Sequence, residues 1–243
     1  MKNLKNLIVI TGPTACGKTS VAIELAKMIN GEIVSADSMQ VYRGMDIGTA
    51  KPALEERQNI PHHLLDVADP VDHFSAAIFQ SLAWQAIDDI FSRGNTPILV
   101  GGTGFYIDVA LHQDALQPNR EMIPKYDAKK FILTRDRAKL YEAINNRVDI
   151  MVKIGLVDEV KKLLSLGIQE GTTAMQALGY KEIIPYLNGE CTLDDAVAAI
   201  KQGSRRYAKR QLTWFRNQIV GEWLDMDDIT PQEAARRIYD KSR

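Results

Sequence analysis

The eight residues Gly12-Pro13-Thr14-Ala15-Cys16-Gly17-Lys18-Thr19 constrain this chain more than any other stretch. They fit the pattern G-x-x-x-x-G-K-[ST], and their surroundings fit it too. An apolar run, Asn6–Thr11, precedes them, and a helical pattern from about Lys18 to Ile29 follows, closed by Asn30-Gly31. Such a strand, glycine turn and helix direct backbone N–H groups and a helix N-terminus at an anion. Lys18 adds a full positive charge, and the Thr19 hydroxyl is a suitable ligand for Mg²⁺. The continuous apolar run Ile8-Val9-Ile10 predicts a strand covered on both faces, as in a parallel sheet with helices on either side. Cys16, inside the turn, reads as a small spacer.

The same alternation continues along the chain. Glu32–Ala36 is a second short strand ending at Asp37, and Ser38–Pro61 is a long functional loop with a helical turn near Glu55–Gln58. His63–Val67 reads as a short strand, Phe74–Arg93 as a helix, and Pro97–Val100 as a buried strand leading into Gly101-Gly102-Thr103-Gly104. The second half is mostly helical. It carries a strand at Lys130–Leu133, helices at Arg137–Ile154 and Leu156–Leu166 separated at Gly155, a long helix at Thr192–Ile219 and a short strand at Glu222–Met226. The segment Leu111–Ala128 has two prolines and no clear period, which marks a connector or a small lid. These readings predict an α/β fold, a P-loop NTPase-like parallel sheet flanked by helices with a largely helical C-terminal half. Residues 1–110 form its P-loop core, 111–129 the connector, and 130–243 the remainder of the core with a C-terminal basic helix.

Charge then limits the partners. The chain has 30 basic and 31 acidic residues in 243, so any nucleic-acid surface must be local. One stretch qualifies. Between Asp195 and Glu222 there is no acid, while Lys201, Arg205 and Lys209 recur at four-residue spacing beside Arg206 and Arg210. Like charges at that spacing destabilise a helix by roughly 0.2–0.5 kcal/mol per pair, a cost that a phosphate-rich ligand would offset. The opposite face, including Trp214 and Phe215, reads as core. Two cysteines exclude a disulfide-rich scaffold and a four-cysteine zinc site, and they suggest a reduced, cytoplasmic setting. No apolar run approaches the roughly 18 residues of a membrane helix.

Asp37 is the leading candidate for chemistry. It ends a buried strand on the side of the sheet where ligands gather, and a carboxylate there can take a proton from an attacking amine or hydroxyl. The alternatives are an Asx-turn with Ser38 and an outer-shell role at Mg²⁺. Nucleotide hydrolases usually place their acid on a strand such as Pro97–Val100, which here ends in glycines; the position of Asp37 suits a small-molecule kinase or a transferase better. His62-His63 lacks metal-ligand spacing and reads as loop or strand packing. Gly179–Glu182 reads as a helix junction.

Taken together, GPTACGKT (12–19), DSMQVYRGMDIGTAKP (37–52), GGTGFY (101–106), GLVDEV (155–160), QALGYKE (176–182) and YAKRQLTWFR (207–216) resemble the tRNA dimethylallyltransferases. They span most of the chain in the family's order. The resemblance implies transfer of a dimethylallyl group from dimethylallyl diphosphate to N6 of the adenosine beside the anticodon, with release of diphosphate. It implies that Gly12, Pro13, Thr14, Ala15, Cys16, Gly17, Lys18 and Thr19 hold the diphosphate, with Mg²⁺ on Thr19. Asp37 matches the family's base, Arg205 an arginine on the leaving diphosphate, and Thr103 a residue where base and donor meet. Asp37, Ser38, Met39, Gln40 and Thr103 match its tRNA contacts. Partners would be the tRNA anticodon arm and the donor, with no membrane, and the chain would be a monomer. Family members usually carry a helical insertion of several tens of residues after GGTGFY, ending in an R-A-L-E-like signature. Here only Leu111–Lys129 stands in that place and the signature is absent. Free-nucleotide isopentenyltransferases, which share the scaffold at this shorter size, and a non-catalytic tRNA-binding remnant are the alternatives.

Overall fold

The computed structural model describes residues 4–243. Six strands form one parallel sheet: β1 (Asn6–Thr11), β2 (Gly31–Ser35), β3 (His62–His63), β4 (Thr96–Gly101), β5 (Asp127–Thr134) and β6 (Glu222–Asp225), in the order β3-β2-β4-β1-β5-β6. The helices are α1 (Lys18–Ile29), α2 (Ala76–Ser92), α3 (Gly104–Leu111), α4 (Arg137–Lys153), α5 (Leu156–Ser165), α6 (Ile183–Leu187), α7 (Leu193–Gln218) and α8 (Pro231–Ser242).

Alternation along β1 explains its layers. Ile8 and Ile10 pack with Val21, Ala22 and Leu25 of α1 and with Ala234, Ala235 and Ile238 of α8. Leu7 and Val9 face the other way, onto Phe79 and Ile87 of α2, Ile107 of α3 and Phe215 of α7. Each fully buried aliphatic chain contributes roughly 1.5–3 kcal/mol, so the central strands must be apolar on both faces. A third core lies beyond the carboxyl ends of the strands. There Val41, Tyr42 and Met45 of the long loop pack against Val148 of α4, Leu156 and Val160 of α5, Tyr180, and Ala196 and Ile200 of α7. The helical second half therefore roofs the edge of the sheet where the glycine loop opens.

Several expected boundaries change. β3 is two residues long, not His63–Val67: Leu64 and Asp66 take left-handed backbone conformations that end the strand. The connector is shorter than 111–129, because α3 runs to Leu111 and β5 begins at Asp127. Between them Asp114 accepts the N–H groups of Glu121 and Ile123, and Arg120 pairs with buried Asp108, so the segment folds on itself. α3, α6 and α8 were not anticipated. α8 carries its own start signal, a capping box between Thr230 and Glu233 with Pro231 at its first turn.

Candidate active site

The glycine loop leaves β1 and enters α1 at Gly17, whose φ of 90° favours glycine. Gly17 offers no side-chain cap, and the first turn of α1 has no acid, so the positive end of the helix is left for an anion. Lys18 Nζ donates to the carbonyls of Gly12 (2.9 Å) and Pro13 (2.7 Å). Burial holds its ammonium below the usual lysine value, and the nearby Arg147 charge adds to that. These carbonyls are neutral, so an oxygen that carries a full negative charge would compete with them for the ammonium. Cys16 is buried in the core, in keeping with a spacer.

Asp37 sits just beyond β2. Its Oδ1 accepts the N–H groups of Met39 (2.9 Å) and Gln40 (3.3 Å), which makes the Asx-turn and fixes the carboxylate. Two cavities meet at this side chain, and it alone among the described residues lines both. The smaller, about 50 Å³, lies over Gly101 and Gly102 and is walled by Lys18, Thr19, Ser35 and His62. Glycine at 101 keeps β2 and β4 close, since a Cβ there would stand 2.1 Å from the Ala36 carbonyl oxygen. The larger, about 290 Å³, has an apolar wall of Ile144, Val148, Met151 and Ile200 and polar walls of Thr14, Arg147 and Arg210. Tyr207 also lines it, and burial together with the Asp37 charge pushes the Tyr207 phenol up to about 12.

The other expected residues are placed as follows. Ser38 and Met39 line the larger cavity. Thr103 Oγ1 accepts the Ser38 N–H at 3.1 Å, tying the loop behind Asp37 to the start of α3. Gln40 is committed internally: its Nε2 donates to the carbonyls of Thr49 and Ala50, and its Oε1 accepts from Ser35. Arg205 donates to Asn145 of α4 at 2.6 Å and stands outside the lining of both cavities. Lys201 pairs with Asp149 of the same helix at 2.6 Å. Arg206, Lys209, Arg210 and Arg216 remain exposed with no carboxylate partner among the described residues. Trp214 packs over Gly104, and Phe215 is fully buried.

Four further side chains shape the site without having been singled out. Arg147 reaches Thr14 Oγ1 at 3.2 Å, placing a second half-buried cation beside the glycine loop. Gln211 accepts the Thr14 N–H (2.9 Å) and donates to the Gly102 carbonyl (2.8 Å), so α7 joins the two glycine-rich turns. Glu159 accepts the N–H groups of Asp46 (2.9 Å), Ile47 (2.8 Å) and Gly48 (3.0 Å) and the Tyr180 hydroxyl (2.6 Å). Lys51 closes the same loop by donating to Tyr42 O (2.8 Å), Asp46 (2.6 Å) and Asp66 (2.6 Å). Arg147, Gln211 and Glu159 share a signal: each is a polar residue on the apolar stripe of its helix. Arg147 stands among Ile144, Val148 and Met151; Gln211 among Ala208, Leu212 and Phe215; Glu159 among Leu156, Val160 and Leu163.

For a cation, the Thr19 hydroxyl and the Asp37 carboxylate supply the oxygens that Mg²⁺ prefers. No group of three or more His, Cys, Asp or Glu side chains among the described residues could hold a metal. These residues fit an ion that relies on phosphate and water for most of its ligands.

No helix among the described residues is long and apolar enough to cross a membrane. The family model for IPP transferase matches residues 40–122 and 110–218. A tRNA dimethylallyltransferase of Exiguobacterium sp. is 44% identical, the match covering 96% of this chain and 94% of that protein. One of Halalkalibacterium halodurans is 40% identical over 97% and 96%. The Exiguobacterium alignment spans 295 residues, more than the 243 here, so that relative carries an internal stretch this chain lacks. The solved tRNA isopentenylpyrophosphate transferase of Staphylococcus epidermidis superposes with a TM-score of 0.91 at 36% identity, covering 98% of both chains. A eukaryotic dimethylallyltransferase solved while acting on tRNA gives 0.82 at 27%, covering 92% of this chain and 74% of its own. With its phosphate loop, its acid between two cavities and these relatives, the chain belongs to the IPP transferase family, that of the tRNA dimethylallyltransferases.

Proposed function

We propose that this enzyme transfers the dimethylallyl group of dimethylallyl diphosphate to N6 of the adenosine adjacent to the anticodon of tRNA. The observation that carries the reading is the position of Asp37, between a small cavity beside Lys18 and Thr19 and a larger one with an apolar wall. The diphosphate is held by the glycine loop, with Lys18 and Arg147 as counter-charges. The five-carbon chain and the extruded base share the larger cavity, where Ile144, Val148, Met151 and Ile200 exclude water from the allylic carbon. A bond forms between N6 and that carbon as its bond to the diphosphate oxygen breaks. Asp37 takes the N6 proton, and the electron pair leaves with the diphosphate. Cations aimed at the leaving oxygen stabilise charge that grows in the transition state. Arg205 contributes to that once it leaves Asn145. Mg²⁺, when bound, supplies further neutralisation of the diphosphate. The exposed basic residues of α7 supply contacts to the tRNA backbone, which position the substrate without reading its sequence.

The test is direct: incubate the protein with labelled dimethylallyl diphosphate and, in parallel, unmodified tRNA, AMP or ATP. Label on tRNA is expected. A second reading, prenylation of free adenine nucleotides, is favoured by the internal stretch that the relatives carry and this chain lacks. Label on AMP but not on tRNA selects it. No label on any acceptor removes both.

A further inference from the structure

The stretch between Ser35 of β2 and His62 of β3 is all loop, and one side chain ties its parts together. Gln40 belongs to the turn that Asp37 starts, its backbone N–H donating to Asp37 Oδ1 at 3.3 Å. Its Nε2 donates to the carbonyls of Thr49 and Ala50, both at 3.2 Å, and its Oε1 accepts the Ser35 hydroxyl at 3.2 Å. Carbonyls only accept, so the two amide hydrogens face Thr49 and Ala50 and the amide oxygen faces Ser35. The partners thus fix the orientation of the group.

The segments joined in this way have separate places in the site. Ser35 ends β2 and lines the small cavity with Lys18 and Thr19. Asp37 lines both cavities, and Gly48, Thr49 and Ala50 line the larger one with it. Ala50 has a φ of 50°, a left-handed conformation that a residue with a Cβ keeps only where its surroundings dictate it. Gln40 supplies such a constraint through the Ala50 carbonyl. The resemblance implies that Gln40 contacts tRNA, but its hydrogen bonds run inward. Gln40 also borders the small cavity, yet both of its amide hydrogens are committed and none is left for a phosphate oxygen.

We propose that Gln40 is a positioning residue for Asp37, acting through the loop and not through contact with tRNA. Its carboxamide locks residues 49–50 of the larger cavity to the end of β2, which sets the Asp37 carboxylate against an amine held in that cavity. This rests on the reading of Asp37 as the base. A misplacement of about 1 Å between reacting groups can cost on the order of a hundredfold in rate, so a tie of this kind has kinetic weight.

The experiment uses the full chain with unmodified tRNA and dimethylallyl diphosphate. Two quantities are measured: the single-turnover rate with both substrates saturating, and the tRNA dissociation constant without donor. The variants are Gln40→Met, which removes the polar atoms, Gln40→Asn, which draws the carboxamide back by one carbon, Asp37→Asn, and Asp37→Asn combined with Gln40→Met. Melting temperatures are recorded for all, and Gln40→Asn carries the test if Gln40→Met melts below the assay temperature. The expected result is a rate lowered about thirtyfold in Gln40→Met and about tenfold in Gln40→Asn, with tRNA affinity within about threefold of wild type. In the Asp37→Asn background the added Gln40→Met change should cost less than about threefold, because a residue that acts through Asp37 has little left to lose there. The full loss in that background overturns the proposal, as does an unchanged rate in both single Gln40 variants. Weaker tRNA binding with an unchanged saturating rate overturns it too, by making Gln40 a tRNA contact. These three outcomes leave Asp37 as base. A rate in Asp37→Asn alone within about tenfold of wild type removes the base reading, and the proposal falls with it.

Discussion

The two ends of the sheet treat polar groups in opposite ways. At the amino end, buried Glu32 has every need met: Asn95 Nδ2 donates at 2.6 Å, Arg93 Nη2 at 2.8 Å, and His63 Nε2 lies 2.6 Å away. These partners hold its carboxyl down to about 2 despite the opposing effect of burial. At the carboxyl end, Lys18 makes do with neutral carbonyls, and Asp37 commits one oxygen to an Asx-turn. One end is closed electrostatically and serves stability. The other keeps its groups underpaired, so a charged ligand finds them ready at little cost in broken bonds.

Substitutions at the two ends can break this contrast. The largest effect belongs to Asp37→Asn, which keeps the turn's oxygen but removes the base. Single-turnover prenylation is expected to fall about a thousandfold, with donor binding and melting temperature unchanged. Turnover within tenfold of wild type would remove Asp37 as base.

Glu32→Gln should do the reverse, lowering stability by about 3 kcal/mol at neutral pH with little loss of turnover. The pH dependence follows from a depressed folded-state value. The stabilisation is full above the ordinary glutamate value of 4.5 and is lost as pH falls from there toward about 2. Urea titrations between pH 7 and 3 should show wild type losing its advantage over Glu32→Gln as the pH drops. A constant difference between them would refute the assignment.

Glu159→Gln tests the link between the roof and the site. Replacing the carboxylate under three loop amides should cost about 2 kcal/mol and loosen the loop behind Asp37. Faster hydrogen exchange at residues 46–48, with a several-fold drop in turnover, is the expected result; exchange confined to α5 would contradict it. The smallest effect is Thr230→Ala, which removes one capping box from α8. About 1 kcal/mol in thermal unfolding is expected, with turnover as in wild type.

Much of this was legible in the sequence, and the rest was hidden for identifiable reasons. The strand, turn and helix around Gly12–Thr19 were plain because motif and period agree. α8 escaped notice because two of its three buried residues are alanines, Ala234 and Ala235, which make a weak stripe. α3 begins among glycines that read as turn. At the site, Asp37 stood out because it ends a strand. Arg147 and Gln211 were lost among the charges and amides around them, although each interrupts an apolar stripe.

Gln211 has a mechanical consequence. α7 is a rod of 26 residues, about 39 Å long, whose first turns sit in the roof and whose last turns sit beneath the sheet. In its C-terminal third, at Gln211, it holds a phosphate-loop amide with one atom and the opposite turn with another. A load on the exposed arginines of that rod therefore arrives at the glycine loop as a tug on the Thr14 amide.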